Sequence, residues 1–211
     1  YTGYLEREGA RGAPNAEHAI PFDRPYLLVT PGGGGDGEAM VDWVLRAYES
    51  DASPPYPALL VYGPFMRQEK QLEFARRGAK LKNIEAITFD ANIEPLIQGA
   101  SGIVAMGGYN TFCEILTFDK PALIIPRTVP RMEQFIRADR AQELGLVRML
   151  EDDSIRNARD MATALRHLPQ QNRPSDIVVP GLLDGLPNVN RLARRLTGGQ
   201  GRRLTAVAAP N

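Results

Sequence analysis

Tyr26-Leu-Leu-Val-Thr30, followed by Pro31-Gly-Gly-Gly-Gly-Asp-Gly37, decides the fold class. A short apolar run without polar alternation reads as a strand buried on both faces. Pro31 and the glycines Gly32, Gly33, Gly34 and Gly35 end it. From Glu38 to Tyr48, Met40, Val41, Val44, Leu45 and Tyr48 fall at helical spacing, which predicts an amphipathic helix. Strand, glycine loop and helix together open a β-α unit.

The same alternation continues outward. Ala58-Leu-Leu-Val-Tyr62 reads as a second strand stopped by Gly63-Pro64, with a charged helix from Gln68 to Arg77. Ile84 to Phe89 predicts a third strand and Ile93 to Gln98 a short helix. Gly102-Ile-Val-Ala-Met106 is a fourth strand, ended by Gly107 and Gly108, with a helix from Thr111 to Phe118. Ala122-Leu-Ile-Ile125 is a fifth, followed by a helix from Met132 to Leu144 with Gly145 at its C-cap position. Leu146 to Leu150 is a weaker sixth strand. Asp153 or Ser154 is expected to cap a helix reaching about Leu168, and Asn188 to Leu196 forms a last, basic helix. This pattern is α/β: a doubly wound parallel sheet of Rossmann-like type, covered by helices on both faces. The domain is expected over 26–197. Residues 1–25 read as a linker or the remnant of a preceding domain, and 198–211, rich in Gly, Arg and Ala, as a disordered tail.

The 211 residues, 43% of them hydrophobic, suffice for one domain with a core of ordinary size. Lys plus Arg number 25 and Asp plus Glu 25, so no net charge draws the chain to nucleic acid or anionic membrane. The single cysteine, Cys113, excludes a disulfide within the chain and a Cys-rich zinc site. His18 and His167 stand far apart without ligand-like neighbours, so no metal is expected. No apolar run reaches transmembrane length, and the chain starts at Tyr1 rather than Met. Arg191, Arg194 and Arg195 on the last helix leave peripheral membrane contact open beside a plain solvated face.

Two glycine loops carry the candidate chemistry. Glycines let backbone N–H groups approach a ligand, and the helix N-terminus that follows favours an anion. A flexible turn without a ligand is the alternative, although fewer glycines would suffice to turn. Gly32, Gly34 and Gly37 also satisfy G-x-G-x-x-G, but the next strand ends Tyr62-Gly63-Pro64 without the carboxylate that a dinucleotide fold requires. NAD and FAD are therefore disfavoured. The second loop is Gly107-Gly-Tyr-Asn-Thr111, with Glu114 following in the helix. If the strand order is 3-2-1-4-5-6, strands one and four are neighbours and both loops flank the switch-point crevice. Asn110 and Thr111 can cap the helix. Glu114 can accept two hydrogen bonds from a vicinal diol such as ribose, or simply complement the helix dipole.

Ser101-Gly-Ile-Val-Ala-Met-Gly-Gly-Tyr-Asn-Thr-Phe-Cys-Glu114, Lys120-Pro-Ala-Leu-Ile-Ile-Pro126 and Glu133-Gln134 together resemble the C-terminal, donor-binding half of GT-B glycosyltransferases. The pattern is similar to the lipid II-forming N-acetylglucosaminyltransferases of peptidoglycan synthesis and to related bacterial predicted glycosyltransferases. It covers about Tyr26 to Val147. The resemblance implies a nucleotide-sugar donor, of UDP type, bound as co-substrate with no further cofactor. It puts Glu114 on the ribose hydroxyls, Gly32 to Gly35 at the diphosphate and Gln134 against the donor sugar. Where the family has a Gln-Gln pair, this chain has Glu133-Gln134. Arg127 and Arg131 lie in a segment that departs from the family and can face phosphate, sugar or solvent. The implied reaction is inverting transfer of a hexosyl group to an acceptor hydroxyl, with acceptor and general base on an N-terminal domain that this chain lacks. The resemblance also implies a cytoplasmic protein, peripheral at the inner membrane face at most. An epimerase or hydrolase of the same architecture, and a non-catalytic nucleotide-sugar binding module, are the alternatives.

Overall fold

The computed structural model describes residues 3–7, 20–152 and 154–197. Six parallel strands, β1 (Leu27–Thr30), β2 (Ala58–Val61), β3 (Ile84–Ile87), β4 (Gly102–Ala105), β5 (Ala122–Ile124) and β6 (Arg148–Met149), form one sheet in the order β3-β2-β1-β4-β5-β6. Each is joined to the next by a helix: α1 (Glu38–Glu49), α2 (Gln68–Gly78), α3 (Glu94–Gly99), α4 (Tyr109–Thr117) and α5 (Glu133–Glu143). Two more helices, α6 (Ala158–His167) and α7 (Gly185–Leu196), follow the sheet.

Alternate residues of each central strand enter different cores, which is why the strands read as unbroken apolar runs. Leu27, Val29, Ala58, Leu60, Val104 and Leu123 pack with Trp43, Val44 and Phe74 of α1 and α2 and with Met161 and Leu165 of α6. Leu28, Leu59, Val61, Ile103, Ala105 and Ile124 pack on the other face with Leu96, Phe112, Ile115 and Ala138 of α3, α4 and α5. Burying a side chain of this size contributes about 1.5–3 kcal/mol, so both faces are needed to hold the sheet. β1 pairs with β2 on one side and β4 on the other, in the registers Leu28↔Leu59 and Leu28↔Ile103. The reversal of winding therefore falls between β1 and β4, and their following loops open at the same sheet edge.

Three local expectations are corrected. The cap of α6 is Asn157, whose side chain accepts the Arg159 N–H, while Ser154 lies in a bend at φ +67°. The Ser154 N–H is taken by the Asp152 carboxylate at 2.9 Å, which leaves no helix start there; Asp153 lies outside the described residues. Helix α4 begins at Tyr109 with Gly108 as its N-cap and no side-chain cap bond. Asn110 and Thr111 are thus inside its first turn, where a side chain cannot cap. Helix α7 begins at Gly185 rather than Asn188. Gly145, by contrast, takes φ +77° just after α5, as its C-cap reading requires.

Residues 3–7, read from sequence as part of a linker, lie against the domain. The Tyr4 N–H donates to the Leu182 carbonyl at 2.7 Å, the Gly185 N–H donates to the Tyr4 carbonyl at 2.9 Å, and Leu5 bridges antiparallel to Asp184. Tyr4 also packs its ring 4.9 Å from that of Phe112. The expected tail over 198–211 lies outside the described residues.

Candidate functional site

At the C-terminal edge of the sheet, the loops after β1, β2, β3, β4 and β5 enclose a crevice of about 600 Å³. Its wall on the β1 side is Gly32, Gly33, Gly34 and Gly35. Gly32 and Gly34 hold φ at +78° and +88°, which turns the loop sharply and brings its backbone to the surface of the crevice. The Gly32 N–H donates to the Thr30 hydroxyl at 3.2 Å. Behind the loop, the Phe65 N–H donates to the Gly33 carbonyl at 2.9 Å.

The opposite wall is the start of α4, with Gly108, Asn110, Thr111 and Glu114 facing the crevice. Its leading N–H groups and dipole provide a positive end at that wall. Glu114 is only 8% exposed, and its carboxylate receives Arg7 Nη2 on Oε1 at 3.2 Å. Burial pushes its carboxyl above the usual carboxylate range, while the Arg7 guanidinium pulls it back. A partly dried carboxylate on the wall of a crevice is a strong acceptor for paired hydroxyls.

Gln134 lines the crevice from α5, and its Oε1 accepts the Arg127 N–H at 3.1 Å, which tethers the loop after β5. Two expected residues stand outside the lining. The Gly107 carbonyl accepts Arg137 Nη1 at 2.6 Å, behind the wall. Glu133 is turned onto Arg127 Nη2 at 2.8 Å, and that ion pair holds its carboxyl below the usual range. The structure thus brings nine of the eleven sequence-selected residues to one crevice and leaves Gly107 and Glu133 off it.

Sequence reading missed the far end. Phe65 after β2 and Phe89 and Ile93 after β3 extend the crevice as an apolar shelf, with Asp90 lining it beside them. Phe65 is 74% exposed and Phe89 48%, a large area of ring to leave in water. The signal was available: in a parallel sheet the loops after β2 and β3 must share an edge with those after β1 and β4. Acidic groups on and beside the glycine loop are also compensated. Asp36 is ion-paired with Arg127, and Glu38 with Arg67. Among the described residues no cluster of His, Cys, Asp and Glu could hold a metal ion, and no helix is long and apolar enough to cross a membrane.

Comparison with known proteins agrees with this geometry. A protein of Methanosarcina acetivorans, named an uncharacterized glycosyltransferase, is 29% identical over 150 residues, 71% of this chain and 36% of its own length. The chain therefore spans about a third of that relative. The calicheamicin glycosyltransferase CalG4 superimposes with a TM-score of 0.62 at 20% identity, covering 94% of this chain and 46% of that one. The UDP-GlcNAc 2-epimerase of Neisseria meningitidis, in its complex with UDP-GlcNAc, has a TM-score of 0.53 at 13% identity over 83% of this chain and 45% of that one. Residues 28–175 match the model of the glycosyltransferase family 28 C-terminal domain. That match takes in all of the sheet but Leu27 and every wall of the crevice, and the chain belongs to this family of glycosyltransferase C-terminal domains.

Proposed function

We propose that this domain binds the nucleoside diphosphate of a nucleotide-sugar donor, with a UDP-sugar as the favoured donor. The observation that carries the reading is the meeting of the Gly32–Gly35 loop and the Glu114 carboxylate in one crevice between β1 and β4. Glu114 would accept the ribose hydroxyls, and the base would lie on the Phe65–Phe89 shelf. The glycine loop and the N-terminus of α4 would hold the diphosphate. Gln134 would face the sugar.

In the whole protein the reaction on this reading is inverting transfer of a hexosyl group to an acceptor hydroxyl. The acceptor oxygen attacks the anomeric carbon as the bond to the diphosphate breaks. Negative charge grows on the departing phosphate, where loop N–H groups and the α4 dipole oppose it. The acceptor and the general base belong to the portion of the relatives that this chain does not span. A cytoplasmic setting, peripheral at a membrane through the basic side of α7, belongs to the same proposal.

Calorimetry with UDP, GDP, dTDP and their sugars tests the reading. Binding of at least one nucleoside diphosphate, weakened in Glu114→Gln, is expected; no binding of any of them would overturn it. The fold shared with the epimerase supports a second reading, sugar passed to water or to an epimerised product. Product analysis with the longer protein separates the two, because transfer requires an added acceptor and epimerisation does not.

A further inference from the structure

Glu114 does not stand alone at the crevice: the segment at residues 3–7 crosses the outside of α4 and delivers Arg7 to it. The segment is tied down on both sides of the arginine's approach. Tyr4 is fixed by two backbone bonds to Leu182 and Gly185, and the Arg7 N–H donates to the Thr117 hydroxyl at 3.1 Å. The guanidinium then reaches Glu114 Oε1 at 3.2 Å, with side-chain exposures of 39% for Arg7 and 10% for Glu114. The charge that faces Glu114 is thus supplied from more than a hundred residues away, by a segment whose Tyr4 packs on the core beside Phe112 and whose Arg7 reaches the carboxylate.

We infer that Arg7 is a positioning residue for Glu114, holding its carboxylate ionised and oriented at the crevice so that its part in nucleoside diphosphate affinity stays level across neutral pH. This rests on the donor reading above. Ribose hydroxyls donate to a carboxylate; a protonated carboxyl has lost part of its acceptor capacity and carries no charge to strengthen the bonds. Burial favours the protonated form, and Glu94 of α3 adds like-charge repulsion in the same direction. Asp90 lines the same crevice from the loop after β3, Tyr109 stands at the start of α4 and Cys113 directly precedes Glu114. Among these groups Arg7 is the cation in contact with Glu114; Arg127, also on the crevice, is committed to Asp36 and Glu133.

The test compares the parent chain with Arg7→Met and Arg7→Lys. The Glu114 carboxyl is titrated by carbon NMR, and UDP affinity is measured from about pH 5.5 to about pH 8.5, the span in which a displaced carboxyl would show. The parent is expected to show no pH dependence beyond that of UDP's own terminal phosphate, whose last proton leaves at about pH 6, and the variants are read relative to it. Arg7→Met is expected to titrate higher at Glu114 and to bind UDP about tenfold more weakly at the acid end than at the alkaline end, the loss of a charged hydrogen bond. Arg7→Lys is expected to restore both. A segment that merely buttresses α4 would lower affinity equally at every pH, so parallel profiles for Arg7→Met and the parent would overturn the inference. An unshifted Glu114 titration in a folded Arg7→Met chain would also overturn it. Failure of the parent itself to bind UDP, GDP or dTDP is a different result; it removes the donor reading and the inference with it.

Discussion

Gly34 backs directly onto Tyr62: a Cβ on Gly34 would overlap the Tyr62 carbonyl oxygen, and Gly34 holds φ at +88°. Gly63 makes the reciprocal approach to the Gly32 carbonyl at φ +86°. The loops after β1 and β2 are therefore stitched backbone to backbone beneath the crevice. Gly33 differs. Its φ is not positive, and a Cβ there would come 3.3 Å from the ring of Phe65, which is largely exposed and free to swing. Gly34→Val is expected to destabilise the domain, since a left-handed φ costs a residue with a Cβ about 1–2 kcal/mol before the overlap is counted. In a chain of this size each 1 kcal/mol is roughly 2–4 °C of melting temperature. Gly33→Val is expected to melt near the parent and to lose UDP affinity by filling the wall. Thermal circular dichroism beside calorimetry checks both. Equal melting temperatures would show that the two loops are not held together as described.

Glu114→Gln is expected to weaken nucleoside diphosphate binding by about tenfold or more, because hydrogen bonds to a charged acceptor contribute roughly 1.5–3 kcal/mol. Glu133→Gln is expected to change it far less. The two carboxylates lie on neighbouring helices, but Glu114 faces the crevice and Glu133 faces Arg127. Parallel titrations with UDP decide the matter, and equal losses would mean that Glu114 has no special place on the ligand.

The strands were legible from hydrophobic run length; their order, and with it the meeting of the two glycine loops, followed only on the condition of a doubly wound sheet, which the order β3-β2-β1-β4-β5-β6 meets. Leu27 to Thr30 is apolar without alternation since each side of β1 faces a different core. Glu114 was legible for a different reason: its helix starts at a glycine loop. What sequence could not show was long-range and electrostatic. Nothing near Arg7 signals that it meets Glu114, because the segment is placed by backbone bonds to Leu182 and Gly185, far along the chain. Phe89 was read as the end of the third strand and Phe65 was given no role, whereas both stand on the crevice. The cap of α6 was misplaced because Ser154 and Asn157 are equally plausible by residue type, and only the bend held by Asp152 separates them.

Arg127 joins Asp36 of the glycine loop to Glu133 of α5, so it neutralises a carboxylate at the mouth of the crevice proposed to hold the diphosphate. Arg127→Ala is expected to weaken UDP binding through the uncovered charge of Asp36, with little change in melting temperature because the group is at the surface. Asp36→Asn in the Arg127→Ala background is expected to recover much of the loss. The double-mutant cycle measures this coupling directly. Additive losses would show that Arg127 acts on the ligand without reference to Asp36.

The same burial that makes Glu114 a strong acceptor carries a cost to the fold, and its pH dependence has a definite sign. The carboxyl is raised above its ordinary value of 4.5 in the folded chain, chiefly by desolvation, with Arg7 opposing. A raised carboxyl binds its proton more tightly when folded than when unfolded. Its contribution to stability is therefore complete below the unfolded value and is lost as pH rises through the folded one. At neutral pH the parent keeps an ionised group in a site that disfavours it. Glu114→Gln removes that group while keeping shape and polarity. The variant is expected to melt higher than the parent at pH 7. The advantage is expected to shrink as pH falls through the folded value and to vanish below the ordinary value of 4.5. Thermal melts of both proteins from about pH 4 to about pH 8 give the difference curve. A variant that melts lower than the parent at neutral pH would show that the Arg7 pair outweighs desolvation and that Glu114 is a net structural asset. A higher-melting variant with lost UDP affinity would identify Glu114 as a residue kept for its ligand against the interest of the fold.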